Sequence, residues 1–192
     1  MSEAVNDSTY WREFENNPLS HSMAHYLMAI DALRNDLGYA RSTDVAEMLD
    51  VSRGAASMAL TQLKKRGWVK EDPNRFLLLT EEGARIAHSV EHNFVILSKF
   101  FQEVLAVQSD TANGDACKME HLMSNETGKR MLWLMRYLLS DEELAVKVRQ
   151  RMAAFHHGCD ARSKDDCPVC GGTLECLANT DAPIVLKHSH SH

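Results

Sequence analysis

Residues 42–65 have the sequence STDVAEMLDVSRGAASMALTQLKK, which decides the fold of the first part of this chain. Residues 42–49 predict a short helix, and a tight turn separates it from a second predicted helix over residues 53–65. Ser52 is placed to cap that second helix, because its hydroxyl can accept a hydrogen bond from an amide of the first turn. Apolar residues recur at helical spacing on one side of each helix and predict the buried faces: Val45, Ala46, Leu49, Ala56, Ala59, Leu60 and Leu63.

A predicted β-hairpin follows these two helices. Residues 68–70 and 76–80 favour strands, and the turn-rich stretch 71–75 connects them. Helix, tight turn, helix and hairpin in this order predict a winged helix-turn-helix. An apolar-periodic helix that ends near Gly38 precedes the motif, so we predict a DNA-binding domain over residues 19–80.

Positive charge is concentrated in the second helix of this motif and in its wing. A run of cations on its own indicates only a solvated surface. Here it coincides with the elements that meet DNA in a winged helix, so we predict contacts to the phosphates of double-stranded DNA. The whole chain has a formal net charge of −6, whereas residues 52–70 contain no Asp or Glu and hold these cations: Arg53, Lys64, Lys65, Arg66 and Lys70.

The start of the second helix is predicted to recognise bases. In a helix-turn-helix, the N-terminal residues of that helix enter the major groove and meet base edges. Arg53, Lys64 and Lys65 are assigned mainly to phosphates. The predicted DNA-contacting residues are Ser52, Arg53, Gly54, Ala55, Ser57, Met58, Lys64 and Lys65.

The chain from residue 81 to residue 157 predicts an all-α domain. Thr80 is placed to cap its first, long helix. The apolar stripe of that helix is wider than one small domain needs, so a second copy of the chain is expected to bury it, unless neighbouring helices cover it. The predicted helices span residues 81–107, 112–123, 125–139 and a final segment that ends near residue 157.

A metal-binding motif lies in the stretch DACKMEH, residues 115–121. Spacings of three and four residues place Cys117, Glu120 and His121 on one face of a helix. A thiolate, a carboxylate and an imidazole that converge in this way suit a divalent transition metal. A single histidine is usually an ordinary surface or core residue, but this chain also holds two histidine pairs with four-residue spacing: His21 with His25, and His88 with His92.

The winged helix, the long helix after it and the Asp-Ala-Cys-x-x-Glu-His motif resemble the diphtheria toxin repressor and manganese transport regulator family of bacterial repressors. The resemblance covers residues 20–139. It implies a homodimeric, metal-activated repressor of metal-homeostasis genes. It also implies a metal that fixes the angle between the DNA-binding and dimerisation halves.

The resemblance further implies a ligand set. His21 and His88 lie one turn from the implied positions, and we interpret them as neighbours of the site or surface residues rather than ligands. The implied ligands are His25 on the first helix, His92 on the long helix, and Cys117, Glu120 and His121 on the ligand helix.

These ligands contain more nitrogen and sulfur than the set that the resemblance implies for manganese members. Softer ligands favour Fe²⁺ or Zn²⁺ over Mn²⁺. Iron and zinc both stay open, because affinity favours zinc whereas the supply of each metal in the cell decides which one binds.

Residues 158–192 form a tail rich in cysteine and histidine. Its Cys-Pro-Val-Cys-Gly-Gly stretch is typical of a zinc knuckle. A structural zinc site ranks first, and an iron–sulfur cluster or a redox-active dithiol are the alternatives. Either alternative would make the protein a redox or iron–sulfur-sensing regulator, the second hypothesis for its function. The candidate ligands of this second metal site are Cys159, Cys167, Cys170 and Cys176.

Composition excludes several other classes of protein. Hydrophobic residues make up 44% and charged residues 25%, as in an ordinary globular protein. The sequence contains no apolar run of about 18 residues, and residues 1–18 form a polar arm unlike a secretory signal, so a cytoplasmic protein without a membrane partner is expected. It also lacks a nucleophile elbow, a phosphate loop and paired carboxylates, so we expect neither an enzyme nor a small-molecule substrate.

Overall fold

A computed structural model describes residues 19–154 of the chain. In this part the protein is mainly α-helical, with one two-stranded antiparallel sheet. The winged helix-turn-helix and the helical second half that the sequence predicts are both confirmed. The elements are α1 (His21–Leu37), α2 (Ser42–Met48), α3 (Arg53–Lys65), β1 (Val69–Glu71), β2 (Leu77–Leu79), α4 (Glu81–Lys99), a π-helical turn (Phe100–Val104), α5 (Ser109–Met119), α6 (Asn125–Leu138) and α7 (Glu143–Ala154).

The winged helix has the main apolar core. Helix α1 packs against α2, α3 and β2, and the largest side chains between them are fully buried. Gly38, with a φ of 80°, ends α1 in the left-handed conformation that a helix C-cap favours. The fully buried large residues of this core are Leu27, Ile30, Val45, Leu60, Leu63 and Leu77.

Local capping explains why α3 begins where the sequence predicts. The Ser52 hydroxyl accepts a hydrogen bond from the amide of Ala55 at 3.1 Å. Helix α3 then runs from Arg53 to Lys65, as predicted. The strands of the wing pair in the register Val69 with Leu79, and each of their bounds differs by one residue from the predicted bound.

The long helix after the wing closes in a π-helical turn and stops at Val104, short of the predicted end near residue 107. Thr80 caps it as expected, accepting from the amide of Gly83 at 3.1 Å. After Lys99, however, the main chain widens into a π-helical turn, in which the amide of Leu105 donates to the carbonyl of Phe100. Hydrophobic periodicity does not reveal such a turn, because one extra residue is absorbed without losing the helical rotation.

The ligand helix α5 is shifted toward the N-terminus from its predicted span of 112–123. It starts at Ser109 and ends at Met119, where the amide of Leu122 donates to the carbonyl of Met119 in a tight turn. Ser124 then caps α6, as predicted, through the amide of Thr127 at 3.2 Å. Glu120 and His121 therefore lie at the end of α5 and in the turn after it.

No helix in residues 19–154 is long and apolar enough to cross a membrane.

Candidate metal centre and DNA-binding surface

A cluster of four potential metal ligands lies between the two halves of the molecule. Helix α1 contributes His21 and His25, and the end of α5 contributes Cys117 and Glu120. One ligand atom from each residue lies within 4.8 Å of the others. The two helices bring together residues that are 92 positions apart in the sequence, as His25 and Cys117 are.

The distances within this cluster are short. Cys117 Sγ lies 3.3 Å from His25 Nε2 and 4.0 Å from His21 Nε2. His25 Nε2 also lies 3.5 Å from Glu120 Oε1. Two imidazoles, a thiol and a carboxylate therefore face a common point, with the mixed nitrogen, sulfur and oxygen ligands that a transition metal takes.

Glu120 is the most unusual member of the cluster, because its side chain is only 1% exposed. Its Oε1 atom has no hydrogen-bond partner. Burial raises the pKa of this carboxyl to about 7. A buried carboxylate without a hydrogen bond is costly, and a bound cation would remove that cost.

The neighbouring groups share this electrostatic setting. Burial and the charge of Glu120 raise the pKa of the Cys117 thiol. Burial and the nearby His21 lower the pKa of His25. The site therefore favours a neutral His25 imidazole and a protonated Cys117 thiol when no metal is bound, and metal binding would release the thiol proton.

His121 lies next to the cluster rather than in it. Its ring centre is 5.1 Å from that of His21, and its Nδ1 atom is buried without a hydrogen-bond partner. Burial, His21 and His25 lower its pKa. His121 directly follows Glu120, the C-cap of α5, and lies in the turn after the helix.

His92 is exposed on α4 and does not join the four-residue cluster. It lines a cavity of about 610 Å³ together with Glu120 and His121. His88, which also lines this cavity, lies with Nε2 3.4 Å from Asp31 Oδ2 on α1.

The structure thus brings together His25, Cys117 and Glu120 of the predicted ligands, and it adds His21. The sequence predicts His21 only as a neighbour of the site or a surface residue. Its four-residue spacing from His25 was the available indication that both rings share one face of α1. Cys159, Cys167, Cys170 and Cys176 lie outside the described residues.

The predicted DNA-contacting residues lie on the outer surface of α3. All of them are exposed except Ala55, which is half-buried, and Met58 is the most prominent with 69% of its surface exposed. One of the predicted phosphate-binding cations has a partner within the protein, because Lys64 Nζ lies 2.7 Å from Glu71 Oε2 in the wing. The positive surface of α3 is therefore partly neutralised beside the wing.

Two family models match the chain in succession. The N-terminal DNA-binding domain of iron-dependent repressors matches residues 18–77. The metal-binding and dimerisation domain of the same repressors matches residues 80–145. These two matches coincide with the winged helix and with the helical half that supplies Cys117 and Glu120.

Curated relatives agree with the family models. Transcriptional regulator MntR of Escherichia coli O157:H7 is 30% identical over 130 residues, which are 66% of this chain and 83% of that protein. The chain belongs to the diphtheria toxin repressor and manganese transport regulator family. This membership confirms the resemblance. Members of the family are metal-dependent transcriptional regulators and not enzymes, which confirms the prediction that the chain is not an enzyme.

Further relatives are more distant. An HTH-type transcriptional regulator of Methanocaldococcus jannaschii is 29% identical over 91 residues, or 47% of this chain and 73% of that protein. Among solved structures, the manganese regulator SloR has a TM-score of 0.54 at 24% identity, covering 60% of this chain and 54% of its own. ScaR with bound Zn²⁺ has a TM-score of 0.52 at 19% identity over 60% of this chain and 54% of its own. At these identities the solved structures support the fold alone, and this chain spans about half their length.

Proposed function

We propose that the protein is a cytoplasmic, homodimeric repressor of metal-homeostasis genes, in which a divalent metal joins the DNA-binding and dimerisation halves. One observation carries this proposal. The four potential ligands come in equal numbers from α1, which belongs to the winged helix, and from the end of α5, which belongs to the second half. A metal at this cluster would fix the two halves relative to each other.

The mechanism is a shift between two arrangements of the halves. Without metal, only weak contacts connect the ligand side chains of α1 with those of α5, and burial raises the pKa of the Glu120 carboxyl to about 7. A metal favours the arrangement in which α1 and α5 both reach it, and it can shift the equilibrium only by binding that arrangement more tightly. In a dimer this arrangement would set the distance between the two α3 helices, and hence which pairs of half-sites fit, about one DNA turn or a multiple apart.

We assign the primary ligands to His25, Cys117 and Glu120, with His21 as the fourth. His121 and His92 are kept as candidate ligands, because both of them line the cavity beside Glu120. With two or more imidazoles and a thiolate, the set favours Fe²⁺ or Zn²⁺ over Mn²⁺. Its donors differ in this way from the oxygen-rich sets that suit manganese.

DNA recognition is assigned to the exposed start of α3. Ser57 and the half-buried Ala55 are placed to meet base edges and thymine methyl groups, whereas Arg53 and Lys65 are placed to meet phosphates. The exposed apolar residues of the second half support a homodimer, because a partner subunit would cover them. They include Val95, Leu105, Trp133, Leu134 and Tyr137.

Titration of the purified, metal-free protein with Co²⁺ tests the metal centre. Co²⁺ bound by a thiolate gives a charge-transfer band. The component of this band that disappears in Cys117→Ser comes from this cluster, and the component that remains comes from the cysteines of the tail. We expect the Cys117-dependent component at one Co²⁺ per chain, and we expect Glu120→Ala to weaken it by at least about tenfold. A spectrum identical in wild type, Cys117→Ser and Glu120→Ala would contradict the proposal.

We propose separately that the tail holds a structural zinc ion through Cys159, Cys167, Cys170 and Cys176. The knuckle-like Cys-Pro-Val-Cys-Gly-Gly stretch supports zinc. The family matches end at residue 145 and do not favour the redox or iron–sulfur alternative. Protein purified without oxygen is expected to be colourless and to contain zinc that is lost in Cys167→Ser with Cys170→Ser. Acid-labile sulfide and a brown colour would instead support the cluster.

A further inference from the structure

Asn93 lies on α4, and its side chain is only 4% exposed. Its Nδ2 atom donates hydrogen bonds to two main-chain carbonyl oxygens, that of Glu120 at 2.9 Å and that of Met123 at 2.8 Å. The side-chain amide nitrogen of asparagine carries two protons, so both are used. One side chain therefore holds both ends of the turn that connects α5 to α6.

The carbonyl of Glu120 needs such a partner because of where it lies. The last carbonyls of an α-helix find no amide in the same helix, and Glu120 is the C-cap of α5. A buried main-chain carbonyl left without a donor is strongly disfavoured. Asn93 supplies the donor from a different helix. The main chain at Glu120 is consequently fixed relative to α4, and not only relative to its own helix.

Helix α6 confines the same amide from the opposite side. Gly128 is buried in the first turns of α6, and a Cβ atom added there would lie 2.7 Å from Asn93 Oδ1. Real Cβ atoms essentially never approach another atom so closely. Any side chain at this position would therefore displace the amide of Asn93.

We propose that Asn93 is a positioning residue for the metal centre and acts through the main chain of Glu120. The inference rests on the proposed function, since it requires Glu120 to be a metal ligand. Glu120 is the C-cap of α5, so its amide still donates to the carbonyl of Ala116 within the helix, whereas its own carbonyl is held from α4 by Asn93. Helix α5 alone therefore does not fix the main chain that carries the carboxylate. Groups that orient ligands without touching the metal typically change metal affinity by about 10- to 100-fold when they are removed.

The first variant to test is Asn93→Leu in the full-length chain, because leucine has a similar shape and donates no hydrogen bond. We expect its affinity for Co²⁺ to fall about 10- to 100-fold, with a changed ligand-field spectrum. The matched control is Ser98→Ala. Ser98 is also buried on α4, and its hydroxyl donates to Asn113 Oδ1 on α5 at 2.6 Å, so its loss removes a contact between the same two helices away from Glu120. We expect Ser98→Ala to lower Tm while changing Co²⁺ affinity less than about threefold.

A second variant keeps the inference testable if Asn93→Leu does not fold. Gly128→Ala changes α6 and no ligand, and alanine favours the helical conformation more than glycine does. We expect it to displace the Asn93 amide from the two carbonyls, which should lower Tm and also weaken Co²⁺ binding. A purely structural role of Asn93 would lower Tm and leave the Co²⁺ spectrum and affinity unchanged in both variants, which would overturn the inference.

The outcome for Glu120 itself separates this inference from the proposed function. If Glu120→Ala weakens Co²⁺ binding whereas the two variants near Asn93 do not, the metal centre stands and the positioning role is wrong. If Glu120→Ala leaves Co²⁺ binding unchanged, the proposed metal centre fails first, and the inference that depends on it fails with it.

Discussion

The two halves of the molecule differ in whether they bury polar side chains. In the winged helix the buried cluster consists of apolar side chains, such as Leu27 and Leu60, packed between α1, α2, α3 and the wing. In residues 19–154, the buried polar or charged side chains all lie in the second half: Asn93, Ser98 and Glu120. The first half is organised around a conventional core, whereas the second half keeps a carboxyl group out of water at the boundary between them.

This difference indicates how the halves divide their tasks. Apolar burial stabilises the winged helix in every condition, and it does not depend on a ligand. The buried Glu120 is favourable only when it is protonated or when a cation is bound, so a metal at this cluster would stabilise the boundary region. A metal sensor needs such a group, because a ligand can shift a conformational equilibrium only by binding one of the two states more tightly than the other.

The largest expected effect comes from opening the core of the winged helix. Leu60 is 1% exposed, and Leu60→Ala should lower the free energy of unfolding by about 2–5 kcal/mol through lost burial and the cavity left behind. The loss should be similar with and without Zn²⁺, which denaturant unfolding under both conditions would measure. A loss that appears only in the metal-free protein would contradict the division between the halves.

The next effect should have opposite signs with and without metal. Glu120→Gln removes the charge but keeps the shape, so we expect the metal-free protein at pH 8 to gain about 1–3 kcal/mol in unfolding free energy. The same variant should lose most of the increase in Tm that Zn²⁺ gives the wild type. Thermal unfolding at pH 8 with and without Zn²⁺ measures both. A less stable metal-free Glu120→Gln would mean that the carboxylate already has a favourable partner.

The pH dependence of stability should identify the same carboxyl group. Its pKa is raised to about 7 in the folded chain, compared with the ordinary value of 4.5. The stability that protonated Glu120 contributes is therefore fully present below about pH 4.5 and lost as the pH rises through about 7. We expect this loss to appear in the difference in unfolding free energy between the wild type and Glu120→Gln, measured without metal from pH 5 to pH 8. Equal pH profiles for the two proteins would refute it.

The smallest effect concerns the DNA-binding surface. Glu71 lies beside Lys64 at 2.7 Å, and Glu71→Gln should leave that cation available to a phosphate. Because exposed ion pairs are weak, we expect only about a two- to fivefold gain in affinity for duplex DNA, and a salt dependence steeper by about one phosphate contact. Anisotropy titrations at several salt concentrations would measure both. Lys64→Gln is the control, and it should lower affinity instead.

Prediction from sequence succeeded where the determining interactions are local. Ser52, Thr80 and Ser124 cap the helices they were expected to cap, because each hydroxyl meets an amide only three residues away. The bounds of α3 follow from such a cap and from its apolar spacing. The winged helix could therefore be derived almost completely.

Prediction was incomplete where distant segments meet. The convergence of Cys117 and Glu120 follows from their spacing, but the participation of His21 depends on how α1 lies against α5. The π-helical turn after Lys99 leaves no trace in the hydrophobic pattern. Asn93 gave no indication at all, since an asparagine within a helix is usually exposed, and its burial is visible only once α5 and α6 are in place.

We propose that one metal joins α1 to α5 and thereby controls DNA binding. The most direct test is the Zn²⁺ dependence of DNA binding by His25→Ala, with a duplex selected from a random-sequence pool by the wild type in Zn²⁺. His25 lies on the DNA-binding side of the cluster and outside α3, so we predict that His25→Ala keeps the weak binding of the metal-free wild type and loses the increase that Zn²⁺ produces. If His25→Ala responds to Zn²⁺ as strongly as the wild type does, the metal does not act through this cluster.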